Sequence, residues 1–142
     1  MKNVAVVYWS GTGNTEAMAE AIAEGAKGAG ADVVTTTVGN ADVAMVKSAD
    51  IIILGCPSMG AEVLEETEME PFVASLDATD VAGKPMGLFG SYDWGDGHWM
   101  QEWVERMKEL GAVVDGEGLI TRLAPDDAAL AACRELGARL VT

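Results

Sequence analysis

The chain has 142 residues, 49% of them apolar, which predicts one domain spanning residues 1–142. Nine basic residues against 23 acidic ones give a net charge of −14, which argues against nucleic acids and anionic membranes as partners. The two cysteines form no CxxC pair and no apolar run reaches the length of a membrane span, so we expect a reduced, metal-free cytoplasmic protein.

Apolar stretches of strand length alternate along the chain with stretches of helical periodicity. Strands are predicted at residues 4–8, 33–38, 50–55, 84–91 and 112–123, the last interrupted at DGEG. Helices are predicted at residues 14–29, 42–48, 70–77 and 98–110, followed by a final helix that Pro125 opens. This alternation predicts an α/β fold: a single doubly wound, five-stranded parallel sheet flanked by helices.

Ligands of doubly wound folds bind beyond the carboxyl ends of the strands. Three loops leave those ends in the predicted fold: residues 9–15 (the first loop), 56–66 (the second loop) and 91–98 (the third loop). The first loop contains no lysine or arginine. The function is expected to be carried by these three loops.

The first loop, WSGTGNT, is rich in hydrogen-bond donors. Four of its side chains can donate: Ser10, Thr12, Asn14 and Thr15. Gly11 and Gly13 allow successive backbone N–H groups to point inward, and the following helix adds the positive end of its dipole. These features predict a cradle for one phosphate group, whereas simple helix capping is the alternative. The motif GxxxxGK[ST] is absent from the loop. The motif GxGxxG is not matched either, because its third glycine position, residue 16, is glutamate.

The second loop carries side chains suited to an aromatic ligand. Met59 is flexible and polarisable, and Glu62 can accept a hydrogen bond from a ring N–H. Gly60 accepts either sign of φ, so the peptide between Gly60 and Ala61 can change its turn type. A plain turn above a core methionine is the alternative.

The tryptophans of the third loop and of the following helix have different predicted roles. Trp94 lies between Asp93 and Gly95, away from any helical apolar stripe, which favours covering a ligand. Trp99 and Trp103 lie four residues apart on one helix face and are predicted to be core residues.

Three motifs occur in order: YWSGTGNTEAMAEAI, LGCPSMGAEVLEE and LFGSYDWGDGHWM. Together they make nearly the whole chain resemble the short-chain flavodoxins of anaerobic bacteria. The resemblance implies strand order 2-1-3-4-5 and non-covalently bound FMN as the cofactor. It also implies a low-potential one-electron carrier that shuttles between semiquinone and hydroquinone, without substrate turnover of its own.

The resemblance further assigns roles to individual residues. Met59 and Trp94 would stack on opposite faces of the flavin, the Gly60 carbonyl would turn to accept a hydrogen bond from N5–H as a redox switch, and Glu62 would bind N3–H. The remaining expected FMN contacts are Trp9, Ser10, Gly11, Thr12, Gly13, Asn14, Thr15, Pro57, Ser58, Ala61, Ser91, Tyr92, Asp93 and Gly95.

Two residues depart from the family pattern and bear on the redox potentials. Asp93 replaces a usual glycine, and aspartate tolerates positive φ better than most residues do. Ala61 stands where relatives often carry a polar or acidic residue.

Acidic residues crowd the loops that would surround the flavin. They are Glu62, Glu65, Glu66, Glu68, Glu70, Asp93 and Asp96. Their charges oppose the negative charge of reduced flavin, which predicts a strong reductant. The same charges predict transient docking of basic redox partner proteins by a monomer, with a merely solvated acidic helix start as the alternative.

Three other functions occur on the same topology. An FMN-dependent quinone or NAD(P)H oxidoreductase is the main alternative, and it would need room for a second substrate over the ring. A receiver domain needs an acidic pair after the first strand, where this chain has Trp9 and Ser10. A low-molecular-weight tyrosine phosphatase needs a cysteine followed, after five intervening residues, by arginine. At that distance from Cys56 this chain has Glu62.

Overall fold

The computed structural model describes residues 2–60 and 62–142. Its parallel sheet contains β1 (Asn3–Tyr8), β2 (Asp32–Thr37), β3 (Ile51–Gly55), β4 (Pro85–Tyr92), β5 (Val113–Val114) and β6 (Leu119–Arg122). Its α-helices are α1 (Asn14–Gly28), α2 (Val43–Ser48), α3 (Met69–Ala74), α4 (Ala78–Val81), α5 (His98–Glu109) and α6 (Asp127–Val141). A 3-10 turn occupies Val38–Asn40. In these ranges, no helix is both long enough and apolar enough to cross a membrane.

The order of the strands confirms the predicted topology. The sheet runs β2-β1-β3-β4, and β5 and β6 both pair in parallel with β4. The fifth predicted strand is therefore split into two short strands on one edge of β4. Residues 115–118 separate them, and Gly116 and Gly118 have positive φ values of 60° and 86°. The winding reverses between β1 and β3, which places the expected ligand edge there.

The apolar core lies on both faces of the sheet because the central strands are buried on both sides. One face is covered by α1 and α6, and the other includes the buried Trp99 and Trp103. The prediction that these two tryptophans belong to the core is confirmed. Helices α1 and α6 pack so closely that a Cβ at Gly137 would lie 2.0 Å from the Ile22 carbonyl oxygen.

Three element boundaries differ from their predicted positions, two of them at aspartate caps. The helix predicted over 70–77 ends at Ala74, because the Asp77 side chain accepts a hydrogen bond from the Thr79 amide (2.9 Å) and starts α4. The Asp126 carboxylate accepts a hydrogen bond from the Ala129 amide (2.8 Å), so α6 begins at Asp127 instead of Pro125. The strand predicted to reach residue 38 ends at Thr37.

Candidate functional site

Backbone hydrogen bonds join the three loops at the carboxyl edge of the sheet. The Trp9 amide donates to the Gly55 carbonyl (3.0 Å), and the Ser58 amide donates to the Ser91 carbonyl (3.0 Å). The first loop is thus tied to the start of the second, and the second to the third. Their side chains meet at one edge although they are up to about eighty residues apart in the sequence.

A cavity of about 240 Å³ lies between the loops. Ten of the predicted site residues line it: Trp9, Gly11, Thr12, Asn14, Pro57, Ser58, Met59, Ser91, Tyr92 and Asp93. The other described residues of the predicted site are not in its lining: Ser10, Gly13, Thr15, Gly60, Glu62, Trp94 and Gly95. Ala61 lies outside the described residues.

Leu123 also lines the cavity, although it lies outside the three predicted loops. It follows β6, has a positive φ of 59°, and its amide donates to the Tyr92 carbonyl (2.7 Å). Residue 123 ends the last predicted strand, and carboxyl ends of parallel strands share one edge. Applying that rule to the last strand would have found it.

The first loop is organised by the Ser10 hydroxyl. Its oxygen accepts hydrogen bonds from the amides of Gly13 (3.1 Å) and Glu16 (3.2 Å), which leaves its own O–H to donate. Helix α1 begins just after Gly13, so the first-turn amides of Asn14 and Thr15 lack partners within the helix. These groups can bind an anion without a cationic side chain.

A buried hydroxyl pair connects the first and third loops. Thr15 and Ser91 are 1% and 5% exposed, and their hydroxyl oxygens lie 2.9 Å apart. Whichever hydroxyl donates, the other keeps an O–H for a further acceptor. The pair thus supports the wall of the cavity, and when Thr15 is the donor the O–H of Ser91, which lines the cavity, is free to donate to a ligand.

Trp9 forms a fixed side of the cavity. Its indole Nε1 donates to Oε1 of Glu68 (3.2 Å), which lies just beyond the second loop. Glu68 therefore holds the Trp9 indole by a hydrogen bond, in addition to contributing negative charge.

The tip of the second loop is a short hairpin. The amide of Met59 donates to the Val63 carbonyl (2.9 Å), and the amide of Val63 donates to the Met59 carbonyl (3.0 Å). Between them Gly60 and Glu62 have positive φ values of 45° and 58°. Gly60 is not in the cavity lining, and its backbone conformation is one that β-branched residues rarely adopt.

Glu62 carries a buried acceptor that lacks a donor. Its Oε1 has no hydrogen-bond partner among the described residues. A Cβ at Gly95 would lie 2.1 Å from this oxygen, so glycine is required there for the carboxylate to fit. Glu62 lines a neighbouring cavity of about 130 Å³ together with Trp103 and Arg106. The indole Nε1 of Trp103, in the same lining, is a buried donor that also has no hydrogen-bond partner among the described residues.

The third loop is fixed by β6 and leaves its tryptophan exposed. The Arg122 Nε donates to the Asp93 carbonyl (3.2 Å), and the Tyr92 ring lies 5.8 Å from that of Trp99. Asp93 does not have a positive φ, so the tolerance expected of aspartate is not used here. Trp94 is 57% exposed and lies outside the cavity lining, so its stacking role stays a prediction.

The acidic segment is electrostatically heterogeneous. Burial alone would raise the pKa of Glu65, but hydrogen bonds from the Thr67 hydroxyl and from three backbone amides outweigh it and lower the pKa to about 2. Glu70 forms a bidentate pair with Arg106 (2.8 and 2.7 Å), whose hydrogen bonds lower the pKa of that carboxyl. Burial raises the pKa of the Cys56 thiol to about 12, so it stays protonated at neutral pH.

Comparisons with known proteins identify similar chains. The family described as flavodoxin matches residues 6–137. The flavodoxin of Megasphaera elsdenii is 49% identical over 134 residues, covering 94% of this chain and 95% of its own. The flavodoxin of Clostridium beijerinckii is 51% identical over 123 residues, covering 87% and 88%. The solution structure of two-electron reduced Megasphaera elsdenii flavodoxin superposes with a TM-score of 0.85 at 47% identity, covering 97% of this chain and 98% of that one.

Proposed function

The chain belongs to the flavodoxin family of FMN-binding electron carriers, and we propose that it carries single electrons at the lower of FMN's two one-electron couples. The observation that carries this proposal is the cavity at the switch point of the sheet, walled on one side by a first loop whose donors are all uncharged. A phosphate monoester suits such a wall, whereas a polyphosphate usually also requires a cation.

The residues of the site fit FMN. The hydroxyls of Ser10 and Thr12 and the open amides of α1 would hold its phosphate, and the unpaired Oε1 of Glu62 would accept a ring N–H. FMN supplies the redox chemistry, and the protein supplies orientation and electrostatics. The Met59 and Tyr92 side chains and the Trp9 ring would shield the isoalloxazine from water.

The absorption spectrum of the purified protein tests this function directly. We expect the chain to bind added riboflavin 5′-phosphate in a one-to-one complex and to accept electrons from dithionite in two separate one-electron steps. A preparation that stays colourless in the presence of FMN would contradict the proposal.

Finer points of the function belong to the same proposal. We infer that residues 1–142 act as one cytoplasmic, monomeric unit that docks transiently on basic redox partners and turns over no substrate of its own. The exposed Glu66 and Asp96 support an electrostatic docking surface. Electron-transfer rates to a basic partner should fall with ionic strength, and the protein alone should not oxidise NAD(P)H in steady state.

A further inference from the structure

The second loop is closed at two levels below its tip. The two backbone hydrogen bonds between Met59 and Val63 close the tip that carries Gly60 and Glu62. Below it, the Glu65 amide donates to the Cys56 Sγ (3.3 Å), and the Cys56 amide donates to the Phe89 carbonyl of β4 (3.1 Å). The two ends of the loop are therefore fastened to each other and to the sheet.

The Glu65 carboxylate adds a third level of attachment. Glu65 is 5% exposed, and its Oε1 accepts hydrogen bonds from the amides of Glu68 (2.7 Å) and Met69 (3.0 Å). Its Oε2 accepts from the Thr67 amide (2.8 Å) and from the Thr67 hydroxyl. One side chain thus binds four donors and joins the loop to the start of α3. Such charge-assisted bonds are about twice as strong as neutral ones.

We propose that Glu65 is a positioning residue, which holds the base of the second loop rigid so that conformational change is confined to the tip that carries Gly60 and Glu62. The inference rests on the proposed FMN function. It gives Glu65 a role different from that of the exposed acidic residues around it. Glu65 is turned away from solvent and touches none of the cavity, so it acts through Met59, Gly60 and Glu62.

The neighbouring Glu66 offers a control matched in charge. Glu66 is exposed, so Glu66→Gln removes one negative charge without removing a buried network. Glu65→Gln removes the same charge, but its amide has one oxygen for the four donors that two oxygens bind. Thr67→Val is the reverse case, because it deletes one donor of the network and leaves every charge in place.

The experiment measures FMN affinity by fluorescence titration and both one-electron midpoint potentials of the FMN-loaded full chain. Glu65→Gln should weaken FMN binding by about tenfold, as expected if only a tenth of the chains keep the competent loop. It should also narrow the gap between the two potentials. Thr67→Val should do both to a smaller extent. Glu66→Gln should raise the lower midpoint potential, and the difference between the two potentials should change only by that rise. Its FMN affinity should stay within about twofold of the parent value.

A third measurement, amide hydrogen exchange of the FMN-free chain, reports the network itself. In Glu65→Gln the amides of Thr67, Glu68 and Met69 should lose protection, whereas those of β1 should keep theirs. If Glu65→Gln does not fold by circular dichroism, Thr67→Val decides the matter.

The outcomes separate the two levels of the inference. If the parent chain binds FMN and Glu65→Gln matches Glu66→Gln in affinity and in both potentials, the positioning role is wrong and the FMN function stands. Wild-type affinity and potentials in Thr67→Val, together with unfolded Glu65→Gln, would also overturn the positioning role. Failure of the parent chain to bind FMN would overturn the proposed function and this inference with it.

Discussion

Acidification should destabilise the FMN-free chain through Glu65 in particular. Hydrogen bonds lower the pKa of the buried carboxyl from 4.5 to about 2. Between these values the unfolded chain binds more protons than the folded chain, so stability falls as pH falls. The contribution is fully present above about pH 5 and is lost progressively toward pH 2. At 1.36 kcal/mol per pKa unit, it amounts to roughly 3 kcal/mol, with a slope of at most about 1.4 kcal/mol per pH unit.

Urea unfolding of the FMN-free parent, Glu65→Gln and Glu66→Gln at several pH values between 7 and 2.5 measures this contribution. The difference in unfolding free energy between the parent and Glu65→Gln should be largest near pH 7 and shrink by roughly 2–3 kcal/mol over that range. Relief of the general charge repulsion acts on all three chains and cancels in the difference. The difference in unfolding free energy between the parent and Glu66→Gln should vary by no more than about 0.5 kcal/mol over the same pH range. A difference for Glu65→Gln that does not change between pH 7 and pH 3 would refute the reasoning.

Three further substitutions test packing and the loop tip against matched controls. Gly137→Ala should cost roughly 1–3 kcal/mol in urea unfolding because its Cβ would overlap a carbonyl of α1, whereas Gly28→Ala, with open space around it, should stabilise by up to about 1 kcal/mol. Trp99→Phe should cost roughly 1 kcal/mol more than Trp103→Phe, because only the Trp99 indole N–H has a carbonyl partner among the described residues (3.2 Å). Gly60→Val should narrow the gap between the two FMN potentials measured by titration, and Gly60→Asn should narrow it less because asparagine tolerates positive φ; equal effects would contradict this.

The topology could be predicted because the apolar runs and the turn residues of the sequence indicate the same order of strands and helices. The continuous apolar runs at residues 4–8 and 50–55 become the central buried strands, and the DGEG segment interrupts the last strand where expected. The boundaries were less predictable, because a single capping bond such as that of Asp77 decides whether a helix continues or a new one begins.

The positions of the three loops were also predictable, since strand order alone brings their ends together. The contacts that fix them were not. Glu65 has no local signature that separates it from Glu66, because its burial depends on how the chain returns from the tip into α3. Leu123 and Arg122 reach the third loop through β6, and such a long-range contact leaves no periodic pattern in the sequence.

Arg122 and Asp93 place opposite charges beside the same loop. The three loops themselves contain no lysine or arginine, so the Arg122 guanidinium, which donates to the Asp93 carbonyl (3.2 Å), brings a positive charge to the site from outside them. Reduction at the lower couple adds negative charge to the flavin. The Asp93 carboxylate should therefore lower that potential, and Arg122 should raise it. For a separation of about 10 Å and an effective dielectric of 20–80, each charge is worth roughly 0.4–1.7 kcal/mol, or about 20–70 mV, before salt screening.

These opposed signs make the pair testable without knowing either distance. Asp93→Asn should make the lower midpoint potential less negative, and Arg122→Gln should make it more negative, each by a few tens of millivolts at low ionic strength. Arg122→Lys keeps the charge while losing the planar guanidinium, so it should stay near the parent value if charge is what matters. The Asp93→Asn/Arg122→Gln double variant should return toward the parent, and the shifts should shrink in high salt because both side chains are exposed. Shifts of the same sign for Asp93→Asn and Arg122→Gln would mean that both residues act by holding the third loop in place, and electrostatic control by this pair would be wrong.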